Sequence, residues 1–309
     1  MRARLILIAM TFLFVSVSQG AERFVSLTID DLPYQRGGAL IDDQSLTKKL
    51  VAHIREQKVP TVGFVNEVKL HENGPEQLAA RSALLEQWLD AGVELGNHTY
   101  SHVDINAVPL ADYTQDVLKG EEITRALMRE RGMTLRYFRH PFLRAGKEAG
   151  IKADLEKFLL EHQYVIAPVT IDNDEWIFGG AYDVAATSGD AATMQRIGRD
   201  YLHYMEQSFV FSEHLARQVV GRDIRHVLLV HANAMNAEYL DDLIVKVRER
   251  GYDFISLPEA LADDAYRRDD RYVGPKGWSW LLRWGVGQEL DTSKAPQVPA
   301  YVMELAGVE

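Results

Sequence analysis

No cysteine occurs among the 309 residues, so a disulfide scaffold and a thiolate-ligated zinc site are both excluded. Basic residues are in deficit too: 34 Lys and Arg stand against 45 Asp and Glu, for a formal net charge of -11. A nucleic-acid partner needs a basic face and is not expected, and an anionic membrane surface is disfavoured for the same reason. A neutral or cationic substrate suits the acidity better. No internal repeat or low-complexity segment is present. One apolar run stands out, LILIAMTFLFVSV after Arg2 and Arg4, and it is too short to span a bilayer comfortably. The small residues Ser18 and Gly20 that follow complete the order of a secretory signal. Residues 1–20 are therefore expected to be a signal peptide, removed after Gly20, leaving a periplasmic or secreted protein without stable membrane insertion. The chain has no Cys to carry a lipid anchor.

The remaining sequence has ordinary globular composition, 47% hydrophobic and 26% charged, enough for a sizeable core. Short β-rich runs alternate with longer amphipathic segments. Strands are predicted at 24–30, 61–66, 93–98, 135–139, 164–171, 226–231 and 253–256, most of them near-continuous apolar runs. Helices are predicted at 75–91, closed by Gly92, at 111–131, closed by Gly132, and at 190–220, the last with room for a break. This alternation implies a parallel sheet with helical crossovers, and seven units in a chain of this length favour a β/α barrel. The rhythm ends near Asp263. The tail 263–309 carries Trp278, Trp280 and Trp284, three of the five tryptophans. Such a cluster reads first as an apolar clasp on the barrel or on another subunit, and second as a sugar-stacking surface.

In a parallel β/α barrel, functional side chains come from the C-terminal strand ends. Here strand one ends at Asp30-Asp31, strand three at His98 with His102 behind it, strand four at Arg139, strand five in Asp172, Asp174, Glu175 and Trp176, and strand six at His231. Adjacent carboxylates at a strand end repel unless a positive group neutralises them. Two imidazoles at H-x-x-x-H spacing can share a cation with one of those carboxylates, the three-ligand pattern of a catalytic zinc. Arg139 is placed to hold Asp30 ionised, with Pro141 stiffening the turn beyond it. His231 suits a proton donor. The other seven histidines have no comparable partners and read as structural.

These segments resemble the polysaccharide deacetylase (NodB homology) family, carbohydrate esterase family 4. TIDDLP (28–33) is similar to its T-F-D-D-G-P motif, HTYSH (98–102) to H-S/T-x-x-H, RHPF (139–142) to R-x-P-Y, IDNDEW (171–176) to D-x-x-D-W, and LVH (229–231) to L-x-H. The resemblance implies a distorted seven-stranded parallel β/α barrel over 21–262, with 263–309 as a Trp-rich C-terminal extension packing on it. It implies metal-dependent removal of N-acetyl groups from N-acetylglucosamine-containing glycans. Asp31, His98 and His102 would bind a divalent metal, zinc first with cobalt or nickel as alternatives. Asp30 would be the catalytic base, His231 the acid and Arg139 the partner of Asp30. Either Asp174 or Glu175 would orient His231. Leu229 would line the acetyl-methyl pocket, Trp176 would form a wall, and the backbone N–H of Phe142 would face the oxyanion. Leu32, Phe142, Leu143 and Glu175 depart from the family pattern, which puts the shape of the groove in question more than the chemistry. Two other readings compete: a non-catalytic glycan-binding protein on this fold, and a metal-dependent amidase of small cyclic amides.

Overall fold

β-branched and aromatic residues collect in seven strands: β1 (Arg23–Leu32), β2 (Thr61–Val65), β3 (Glu94–Asn97), β4 (Tyr137–Phe138), β5 (Val165–Ile166), β6 (His226–His231) and β7 (Tyr252–Phe254). The computed structural model describes residues 22–36, 40–72 and 74–308; the expected signal peptide lies outside them. Every strand pair is parallel, in the order β5-β4-β3-β2-β1-β6, with β7 alongside the first three residues of β1. β1 is the hub, buried from Val25 to its end because both of its edges are paired and both of its faces are covered. The ring closes past β5: Thr170 and Ile171 donate their N–H groups to the Val227 carbonyl, and Leu229 donates to Ile171. The architecture is a distorted α/β barrel.

The expected strands at 135–139 and 164–171 shrink to two residues each. Pro141 and Pro168 follow them within three residues, and a residue without an N–H cannot continue a ladder. The chain therefore leaves the sheet early there and enters the rim of the barrel.

Helices α1 (Leu40–Gln57), α2 (Leu78–Asp90), α3 (Leu110–Lys119), α4 (Glu122–Glu130), α5 (Ala149–Glu161), α6 (Glu175–Thr187), α7 (Ala191–Val220) and α8 (Ala234–Glu249) surround the sheet. The stretch 190–220, which had room for a break, is one continuous helix: α7 runs 30 residues, capped by the Asp190 side chain, which accepts from Thr193 N–H, and ended by Gly221 at φ 85°. The break falls instead inside 111–131, between α3 and α4. There Gly120 packs so closely that a methyl on it would meet the backbone of Thr99 and Tyr100. That contact fixes the loop after β3: the Asp116 carbonyl accepts from Tyr100 N–H at 3.0 Å, and its carboxylate accepts from Ser101 N–H and Oγ at 2.9 Å each.

Beyond α9 (Leu257–Leu261), the tail folds back as α10 (Trp280–Trp284) and α11 (Ala300–Ala306). Trp280, Leu281 and Trp284 are buried with Leu215, Ala216 and Val219 of α7 and with Val169 and Leu229. Trp280 N–H donates to the Val169 carbonyl at 2.7 Å. These two tryptophans are thus a clasp on their own barrel, whereas Trp278 stacks on Tyr272 with ring centres 4.3 Å apart. Among the described residues no helix is long and apolar enough to cross a membrane.

Gly120→Ala forces the α3–α4 corner away from the loop carrying His98 and His102. The expected loss is about 1–3 kcal/mol of unfolding free energy, the usual cost of overpacking, read from urea denaturation; an unchanged midpoint would remove this account of the helix break.

Candidate active site

A pocket of about 410 Å³ opens at the C-terminal ends of the strands, lined by Asp30, Asp31, His98, His102, Phe142, Leu229 and His231 among others. Its floor is the end of β1. Successive strand residues normally point to opposite faces, but Asp31 has φ 69° and the β1–β2 register shifts between Ile29 and Leu32. A bulge of this kind re-aims a side chain, and here it brings both carboxylates into one pocket. Leu32, the first departure from the family motif, is fully buried in the core and does not shape the groove.

His98 follows β3 directly. Its Nδ1 donates to the Arg139 carbonyl at 2.8 Å, the tautomer that leaves Nε2 as a bare acceptor. That Nε2 lies 3.7 Å from Asp30 Oδ2 and 3.9 Å from Asp31 Oδ1. The loop then turns through Thr99 at φ 63° and His102 at φ 55°, placing His102 Nε2 3.7 Å from Asp31 Oδ1. One ligand atom each from Asp31, His98 and His102 falls within 4.8 Å of the others. Burial pushes both imidazoles below their ordinary pKa, which keeps them neutral as a metal ligand requires. Among the described residues no hydrogen bond reaches Asp31 Oδ1, which lies 3.5 Å from the Lys69 ammonium, and two neutral imidazoles beside a carboxylate fit a divalent cation.

The two carboxylates separate electrostatically. Burial raises Asp30 to about 6, against the opposing pull of Arg139 and His231. Burial acts on Asp31 in the same direction, but Lys69, His102, His231 and His98 together hold it below its ordinary value. Arg139 is fully buried, donates Nη2 to Thr28 Oγ1 at 2.9 Å and places Nη1 3.4 Å from Asp30 Oδ2. Arg139 pulls Asp30 toward the ionised form, but desolvation is the larger effect.

Opposite this cluster, His231 ends β6. Its Nδ1 lies 2.7 Å from Glu175 Oε2. Although burial alone would lower it, the bonded carboxylate raises His231 to about 9. The choice between Asp174 and Glu175 is thereby decided by geometry. Glu175 opens the first turn of α6 and points inward, where its other oxygen accepts from Asn233 and Asn236. Asp174, one residue earlier, faces the Tyr204 hydroxyl at 3.4 Å and lines the pocket wall without touching His231. Trp176 and Phe142 stand exposed on the rim, and Leu229 is buried in the wall. All eleven sequence-derived site residues except Arg139 and Glu175 line the pocket itself; those two sit directly behind it.

Sequence reasoning missed Lys69, whose buried ammonium donates to the Asp31 carbonyl at 3.0 Å and to Asn66 Oδ1 at 3.1 Å. It sits in VNEVKLH, where nothing in the pattern separates it from a solvated lysine. It missed Asn233 and Asn236 as well, although both lie in HANAMN, which begins with the site histidine. Asp172 at the strand-five end also lines the pocket and is raised to about 7 by burial and by Asp174.

If Asp31, His98 and His102 form one cation site, the purified protein binds about one Zn²⁺ by calorimetry, and His98→Ala weakens it at least about a hundredfold by removing one of three ligands. Equal affinity in wild type and variant would discard the cluster as a metal site.

Residues 18–157 match the family model described as polysaccharide deacetylase. A search of curated proteins finds the peptidoglycan-N-acetylglucosamine deacetylase of Bacillus cereus, 23% identical over 244 residues, spanning 79% of this chain and 70% of that protein. Among solved structures, the chitin deacetylase of the fungal pathogen Colletotrichum lindemuthianum aligns at TM-score 0.51 with 20% identity, covering 78% of this chain and 88% of its own. A mutant of a CE4 family pseudoenzyme from Bacillus anthracis, with restored enzymatic activity, aligns at TM-score 0.50 with 19% identity over 78% of this chain and 68% of its own. These structural likenesses bear on the fold alone. The matched segment carries Asp30, Asp31, His98, His102 and Arg139, and the barrel brings His231 from outside it into the same pocket, with Glu175 directly behind. Over residues 18–157 the chain is similar to the polysaccharide deacetylase family.

Proposed function

We propose that this protein is a metal-dependent deacetylase that removes N-acetyl groups from N-acetylglucosamine-containing glycan of the peptidoglycan or chitin type. The observation that carries the reading is geometric: Asp30, 3.4 Å from the Arg139 guanidinium, and His231, 2.7 Å from the Glu175 carboxylate, line one pocket with the Asp31, His98 and His102 cluster, and burial of the first and the carboxylate beside the second push their proton affinities apart. Paired groups pushed apart in this way mark the base and acid of a hydrolase. The exposed rings of Trp176 and Phe142 at the rim suit a sugar face, and Leu229 suits an acetyl methyl. On the strength of residues 1–20 we place the protein outside the cytoplasm, where such glycans lie.

Asp31, His98 and His102 would hold the ion, with zinc favoured by the donor set. When bound, the ion supplies Lewis-acid polarisation of the acetyl carbonyl and a lowered pKa for water. Asp30, beside that site but bonded to Arg139, takes the proton from the attacking water. His231 gives its proton to the departing amine, which could not leave as an amide anion. Glu175 keeps the imidazole charged and aimed, and it is held in turn by Asn233 and Asn236. The backbone N–H of Phe142, on the loop that lines the pocket, is the proposed donor to the oxyanion.

Acetate release from chitooligosaccharides or acetylated peptidoglycan tests the reading directly. Release is expected to stop with chelator and return with zinc. Asp30→Asn should retain zinc while losing about a hundred- to ten-thousand-fold in kcat, as for a general base. Chelator-insensitive release, or zinc binding without release across a panel of glycans, would reject it. Ring-opening hydrolysis of small cyclic amides, without acetate release from sugars, would favour the amidase.

The acid and base also fix a pH window. Asp30 serves as base only above about 6, and a divalent cation beside it moves that limb lower by favouring the ionised form. His231 serves as acid only below about 9, because its raised pKa keeps the proton until then. Glu175→Gln removes the charge that raises it, so the alkaline limb of kcat should fall by about one to two pH units. An alkaline limb left in place would deny Glu175 this role.

A further inference from the structure

The loop between β4 and α5 holds two consecutive non-glycine residues in the left-handed region, Phe142 at φ 56° and Leu143 at φ 54°. A side chain with a Cβ adopts that conformation only at a cost, and two in succession persist where the surroundings over-determine them. The loop's own bonds close its turn: Leu143 N–H donates to the His140 carbonyl at 3.0 Å and Arg144 N–H to the Pro141 carbonyl at 3.1 Å. The carbonyls of the two strained residues are engaged from elsewhere, by the C-terminal extension. Gly277 lies so close to the Phe142 carbonyl oxygen that a methyl at Gly277 would overlap it. Arg283, fully buried, donates Nη1 to the Leu143 carbonyl at 3.0 Å. Its other nitrogen binds Asp270, and its guanidinium lies over the Trp280 ring at 4.5 Å. Lys152 of α5 ties the same strap down through the Tyr272 carbonyl at 3.1 Å.

This loop is part of the pocket wall. The Phe142 ring packs edge-on against His102, with centroids 4.4 Å apart, and Gly277 itself lines the pocket with Phe142, Leu143 and Arg144. We propose that the extension is a working part of the active site: Gly277 and Arg283 are positioning residues that impose the left-handed Phe142–Leu143 conformation and so aim the Phe142 ring and backbone into the pocket. Both residues lie beyond the family motifs and outside the matched segment 18–157. The kinetic consequence rests on the deacetylase reading; the structural one does not.

Two variants of the full mature chain test it, Gly277→Ala and Arg283→Lys, the second keeping the charge beside Asp270. Hydrogen–deuterium exchange read by mass spectrometry should show faster exchange confined to the peptide spanning 139–145, with β1 and β6 as protected as in wild type. With zinc and acetylated chitooligosaccharide, kcat should fall about ten- to a hundredfold with KM little changed, the signature of a reacting geometry displaced by about an ångström. Wild-type exchange and kcat in both variants would overturn the proposal. So would exchange rising equally through β1 and β6, which would reduce the extension to general packing. Absence of acetate release by the wild type would count against the deacetylase reading alone, and the exchange comparison would then decide this proposal unaided.

Discussion

Two consecutive carboxylates buried at the end of the central strand impose their requirements on everything around them. Neither charge survives burial without compensation. The compensation comes from separate elements: Arg139 after β4, Lys69 after β2, and His231 at the end of β6. The distribution is unequal, and the inequality is chemically useful. Asp31 has the Lys69 ammonium 3.5 Å from its Oδ1 and is held below its ordinary value. Asp30 receives a single guanidinium at 3.4 Å and is left with a proton affinity close to neutrality. One bulge in β1 is what makes the pair possible, because without it the strand's alternation would send one carboxylate out of the pocket.

Across the pocket the same logic runs with opposite sign. The half-buried His231 is raised by the Glu175 carboxylate, and among the described residues no arginine or lysine is bonded to the buried Glu175. It relies on His231 and on the amides of Asn233 and Asn236. A carboxylate so enclosed has little freedom to move, which holds the imidazole in one tautomer and one direction. Asp30 and His231 thus stand on strands that are direct neighbours, β1 and β6, paired residue for residue as far as these two.

The wall between them is less rigid by nature. β4 and β5 contribute two residues each to the sheet, so the segment carrying Phe142 has no ladder to hold it. The C-terminal extension takes that role, with its two buried tryptophans anchoring a strap that reaches the pocket. A tail with no strand–helix rhythm of its own thereby stiffens the one side of the barrel where the sheet is thinnest.

The order of strands and helices was legible because burial on both faces writes continuous apolar runs, and the site was legible because polar residues at successive strand ends are otherwise hard to explain. Asp30, Asp31, His98, His102, Arg139 and His231 could be read that way. Lys69 could not: its neighbours suggest an ordinary helix surface, and only the fold puts its ammonium against the Asp31 carbonyl. Asp174 and Glu175 are equal in sequence, differing by one step of a helix, and about 100° of rotation decides which of them meets His231. The break at Gly120 and the grip of Gly277 on Phe142 depend on backbones far apart in sequence approaching closely, a fact that local pattern does not encode. Sequence alone determined which residue types occupy the strand ends; tertiary structure decided which of them face one another, because distance and burial, not identity, set charge and reactivity.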